Sequence, residues 1–188
     1  FIKETNETIA IWEGEKLSKQ QASEISGIST IYWTHQFESV LKTLIYQAEY
    51  IYLNSNEHLR SYIETETAQD RWNKRIIQKY PLHKYERSAP ILFKLRSIKN
   101  SIEIDLIQQA CNITEKAFRR ILKFIKPGVW EYEIEAEMIH EFIINRSKGF
   151  AYSPIIASGS NACVLHYTEN NQQCKDGDVI LIDAAAEY

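Results

Sequence analysis

The chain has 188 residues, 44% of them hydrophobic and 12% aromatic, which is enough apolar material for one large domain or two small ones. Lysine and arginine (22) nearly balance aspartate and glutamate (25) for a net charge of -3, so no basic surface points to nucleic acid. The apolar runs fall well short of the ~18 residues that suggest a membrane span.

In chain order, "FIKETNETIAIW" reads as strand, polar turn and strand. "SKQQASEISG" reads as a short helix, with Ser18 and Gln21 forming a capping box and Gly27 ending it. "TIYW" reads as a short strand. In "FESVLKTLIYQ", Phe37, Val40, Leu41, Leu44 and Ile45 recur at helical spacing. "AEYIYLN" reads as a strand, "TAQDRWNKRIIQKYP" as a helix stopped near Pro81, and "LHKYER" as another strand. Such alternation predicts an α/β layer over residues 1–88 with a central sheet. A seam falls near Ser88-Ala89-Pro90.

Beyond the seam the rhythm changes. A long helix is expected over 100–125, capped by Asn100 and Glu103. Its stripe comprises Ile104, Ile107, Cys111, Thr114, Ala117, Phe118, Ile121, Phe124 and Ile125, and Pro127-Gly128 ends it. A second helix, "EYEIEAEMIHEFIINRSKG", has glutamates first and Arg146 and Lys148 last, as the helix dipole favours, with Gly149 as its cap. Strands are expected near 152–158, 163–167 and 179–188. The last two should pair antiparallel across a polar segment.

Few residues carry chemistry by pattern. The three cysteines, Cys111, Cys163 and Cys174, form no Cys-x-x-Cys pair and read as free thiols of a reducing cytoplasm. His140-Glu141 lacks the second histidine of a zinc helix, because position 144 is isoleucine, and reads as a solvated face. His35, His58 and His83 read as isolated surface residues. Gly159-Ser160-Asn161 is a small-residue turn, either a link between strands or a backbone-lined pocket edge. His166 lies among apolar residues, where a satisfied core histidine is the commoner reading. Asp183, on one strand face with Val179, Leu181 and Ala185, is harder to explain, because a buried carboxylate needs a partner or a metal. One aspartate alone fills no metal site.

Residues 92–188, above all "VLHYTEN" and "DGDVILIDA" with the following "EY", closely resemble the bacterial aminopeptidase P group of the pita-bread metallopeptidases, which includes prolidase and methionine aminopeptidase. Residues 1–88 resemble, less specifically, the later part of that family's N-terminal α/β domain. The resemblance implies an α/β (α+β) fold class, with a creatinase-like α/β domain over 1–88. Residues 89–188 would then be the first half of a pita-bread domain.

It also implies cleavage of the first bond of peptides with proline at position two, by water activated between two divalent ions, usually manganese. Asp183 then matches the first metal-ligand aspartate. His166 matches a histidine beside the metals that contacts substrate and steadies the reacting oxygen or the proton transfers. Tyr152 matches a tyrosine near the same pocket and is counted with His166 as substrate-facing. The remaining ligands, a second aspartate, a histidine and two glutamates, would lie past Tyr188. The chain also starts without methionine, inside what reads as a strand, so both ends read as cut, and the 188 residues are expected to be inactive and to bind no metal tightly. Ala185 stands where the family usually has glycine. A cytoplasmic homo-oligomer is implied, with peptides as its partners. Prolidase, or a metal-free pita-bread binding module, are the competing readings.

Overall fold

The computed structural model describes residues 1–60 and 64–188, which fall into two compact units, Phe1–Leu95 and Arg96–Tyr188. Helices and short strands alternate, giving the mixed α/β fold expected. Among the described residues the strands form three two-stranded sheets rather than one central sheet. No described helix is long and apolar enough to cross a membrane.

In the first unit the opening segment is not a hairpin. Residues Glu7–Glu13 form α1, because the Asn6 side chain accepts the Ile9 N–H and Gly14 (φ +75°) ends the turn. Ile2 makes only an isolated parallel bridge to Trp33, which is all that remains of the strand expected at "TIYW". α2 (Lys19–Ser26) has the expected Ser18–Gln21 box and a left-handed Gly27. α3 (Phe37–Gln47), β1 (Tyr50–Leu53), α4 (Ala68–Lys79) and β2 (Lys84–Arg87) follow as read. β1 and β2 pair in parallel, which requires a crossover, and α4 supplies it. Ile45 of α3 packs with Ile76 and Tyr80 over Ile51, Leu53 and Tyr85. His83 departs from its surface reading. It is half-buried, and a ring nitrogen lies 2.9 Å from the Ile45 carbonyl.

α5 (Ala89–Ser97) runs across the division between the units. The second unit is built on α6 (Ser101–Phe124) and α7 (Glu131–Ile144). Asn100 and Glu103 cap α6 reciprocally, as expected. Ile113, Ala117 and Ile121, four apart, pack in one core with Ile134, Met138 and Phe142, also four apart. Only the later part of the α6 stripe is covered. Ile104 and Ile107 are exposed.

α7 ends differently from the reading. The left-handed residue is Arg146 (φ +69°), with the Ser147 N–H bonded to the Phe142 carbonyl and the Arg146 N–H to that of Ile143. Gly149 opens β3 (Gly149–Phe150) instead. β4 (Ile155–Ser158) pairs antiparallel with β5 (Ile180–Asp183), and β3 with β6 (Ala186–Glu187). The final apolar run thus changes partner at Ala184-Ala185. The strand expected over 163–167 is absent. Residues Gly159–Cys163 form a 3-10 turn and the chain then loops. Gly159 is needed there: its φ is +56°, and a Cβ would meet the Asp178 carboxylate at 2.9 Å.

Candidate functional site

Asp183 ends β5, opposite Ile155 in the register. Side chains alternate along a strand, so Ile180 and Ile182 pack against the helical core while Leu181 and Asp183 point away from it. Asp183 is therefore exposed, not buried as its apolar surroundings suggested. The pattern misled because the short strand is covered on one face only. Tyr152, in the link between β3 and β4, donates its hydroxyl to Asp183 Oδ1 at 2.7 Å. The carboxylate stabilises the protonated phenol, and with desolvation this raises the Tyr152 pKa. Two of the three sequence-predicted site residues are thus joined.

His166 is reached differently. It is exposed and lies in a turn with φ +58°, a region uncommon for residues other than glycine. No hydrogen bond joins it to Asp183 or Tyr152 among the described residues. The antiparallel pairing expected between its segment and the Asp183 strand is replaced by the β4–β5 pairing. The chain after His166 nevertheless returns to the same end of β4. The Asn170 side chain is buried, accepts the Ile156 N–H at 2.9 Å, and donates to the Pro154 carbonyl at 3.1 Å and to Glu135 at 2.9 Å. Ile155, the residue between those two backbone contacts, is the partner of Asp183.

Glu131 was missed as a site-building residue. It is fully buried at the first position of α7, although it reads as one of several glutamates favoured by the dipole. Its carboxylate accepts four hydrogen bonds: from the Ser158 N–H (2.6 Å) and hydroxyl (2.7 Å), the Tyr167 hydroxyl (2.8 Å) and the Gln172 N–H (2.8 Å). Burial pushes its pKa up, but these donors outweigh burial and hold it below the ordinary glutamate range. The only local hint was its place at the helix start. Its partners lie 27 to 41 residues away.

A divalent ion needs several donors, and one carboxylate is not a site. Among the described residues no three His, Cys, Asp or Glu side chains converge. Among them Asp183 stands as a single carboxylate, not as part of a ligand cluster. Ala185, whose carbonyl accepts the Ala151 N–H at 2.8 Å, has no left-handed φ, so its methyl group meets no backbone penalty.

Residues 105–188 match the metallopeptidase family M24, and residues 1–52 match the aminopeptidase P N-terminal domain. The Xaa-Pro aminopeptidases of Haemophilus influenzae and Escherichia coli are each 31% identical, over 100% and 96% of this chain. The chain spans 41% of the length of either relative. Among solved structures, the Pseudomonas aeruginosa aminopeptidase PepP superposes over the whole chain with a TM-score of 0.86 at 26% identity, covering 43% of that protein. Aminopeptidase P from E. coli superposes over 99% of the chain with a TM-score of 0.84 at 28% identity, 42% of it being covered. With matches to both of its characteristic domains and this shared fold, the chain belongs to the aminopeptidase P branch of the M24 metallopeptidases.

Proposed function

We propose that these 188 residues form part of an Xaa-Pro aminopeptidase. The full protein would cleave the bond between the first residue of a peptide and a proline at position two. It would use water activated by two divalent ions, manganese in our reading. Asp183 is assigned as one of five metal ligands, the other four not being supplied by these residues, and the 188-residue chain alone is then inactive. His166 is assigned to contact the substrate and to steady the oxygen or proton that moves, and Tyr152 to orient Asp183.

The observation that supports this best is the Tyr152–Asp183 hydrogen bond, which occupies one carboxylate oxygen at an exposed strand end. Among the described residues the other oxygen accepts no hydrogen bond. A carboxylate oriented by one donor and otherwise open suits a cation ligand. The relatives and the chemistry of the bond support this substrate class. An X-Pro bond is a tertiary amide without an N–H, so its cleavage calls for a dedicated site.

The test is hydrolysis by the full chain of an X-Pro-Y tripeptide compared with the dipeptide X-Pro. Release of X from the tripeptide supports the reading, and cleavage of the dipeptide alone would make the protein a prolidase. Asp183→Ala should lose bound metal and activity together. His166→Ala should lower turnover with metal content near normal. Activity retained in both variants would defeat the site assignment.

A further inference from the structure

Glu131 is a buried charge that the proposed chemistry does not use. Taking a carboxylate out of water costs several kcal/mol, and apolar packing could hold a turn without that cost. What the carboxylate adds is direction, because charge-assisted hydrogen bonds fix angles as well as distances. Its four donors sit at the two bases of one loop. Ser158 is the last residue of β4, where the loop departs, and Tyr167 and Gln172 are on its return. The Glu131 N–H also donates to the Gln172 carbonyl at 3.0 Å. The anchor is rigid, since Ile134, Met138 and Phe142 bury the helix that carries it.

His166 lies inside this loop, one residue before Tyr167. Its ring makes no hydrogen bond among the described residues, so what the fold fixes is the direction of its Cα–Cβ bond, set by a backbone held at φ +58°. Such a conformation costs about 1–3 kcal/mol and persists only where its surroundings enforce it. The nearest side-chain tie from that backbone to the helical core is the Tyr167 hydroxyl on Glu131.

We infer that Glu131 is the positioning residue of His166, acting through Tyr167 to hold the imidazole in one orientation toward the site at Asp183. The inference rests on the proposed reading of His166 as the substrate-contacting histidine. Tyr167→Phe removes the tie beside His166, together with the hydroxyl's contacts to Asn171, and leaves the Ser158 and Gln172 bonds in place. Glu131→Gln keeps the shape and removes the charge.

Both variants are made in the full chain and read in two ways. The first is the imidazole resonance of His166 in isotope-labelled histidine, with samples free of paramagnetic ions and the signal assigned by its loss in His166→Ala. The second is kcat and KM on an X-Pro-Y peptide, alongside metal content. The expected result is a displaced or broadened His166 signal, with those of His35, His58 and His140 unmoved. For Glu131→Gln, kcat should fall about 10- to 100-fold, as small misplacements of a reacting group do. For Tyr167→Phe the fall should be smaller, and in both KM should change less than about threefold with metal content unchanged. An unmoved His166 signal in folded Tyr167→Phe and Glu131→Gln overturns the inference, as does activity that falls only with the folded fraction. Should Glu131→Gln not fold, Tyr167→Phe decides alone. If the unsubstituted protein leaves X-Pro-Y intact, the functional reading fails, and the resonance by itself still tells whether Glu131 positions the ring.

Discussion

Arg146 closes α7 in a conformation that glycine adopts without penalty, while its own Cβ crowds the neighbouring backbone. Arg146→Gly should therefore stabilise the protein by about 0.5–1 kcal/mol, seen as a higher urea midpoint with an unchanged slope. The gain is bounded because glycine also frees the unfolded chain. Glu131 offers a pH-dependent counterpart. Burial alone would raise its pKa, yet its hydrogen bonds bring the folded value below the unfolded one. Its contribution is thus fully present above the unfolded pKa and is lost as pH falls through the folded pKa. Glu131→Gln should lower stability at neutral pH by about 2–4 kcal/mol, since it weakens several bonds to a charged acceptor. It should also flatten the loss of stability on the acid side. Urea midpoints for both proteins at neutral and acidic pH check this, and parallel curves would show that Glu131 is not the group responsible.

At the level of the element, α6 carries one sequence stripe with two fates. Ile121 is fully buried among Ala117, Ile134 and Met138, whereas Ile104 is 55% exposed. Ile121→Ala should cost about 2–5 kcal/mol, because the packed helices cannot close over the lost side chain. Ile104→Ala, on the same stripe, should stay within about 0.5 kcal/mol, as surface substitutions usually do. Paired denaturation curves measure the contrast, and equal losses would mean that the early turns of α6 are covered in solution. The face of α7 toward α6 adds Glu137 and Glu141, both paired with Arg120. The solvated reading of His140-Glu141 therefore holds for exposed His140 but not for Glu141, which is half-buried.

For the whole molecule, the residues assigned to the site all lie in the second unit, and among the described residues no three potential ligands converge. Calorimetric titration of the 188-residue chain with manganese should give no tight stoichiometric binding, because affinity for a hard ion follows the number and geometry of its oxygen ligands. A two-ion isotherm would show that donors come together here after all. The sequence by itself determined the elements whose signals are local. The Ser18–Gln21 and Asn100–Glu103 boxes, the helical spacing of α3 and α6, and the β-α-β alternation that gives the α/β class were all legible. A helix makes its hydrogen bonds within itself, so a few neighbouring residues suffice to specify it. The apolar-polar alternation of residues 1–12 suggests strands, but the Asn6 cap turns Glu7–Glu13 into a helix. Tertiary structure alone decided that β5 pairs with β4, that His166 sits in a left-handed turn, that Asp183 faces outward, and that Glu131 gathers donors from Ser158, Tyr167 and Gln172. A strand, or a buried charge, finds its partners far along the chain. Which of the possible partners is met depends on how the helices pack, and no local pattern carries that information.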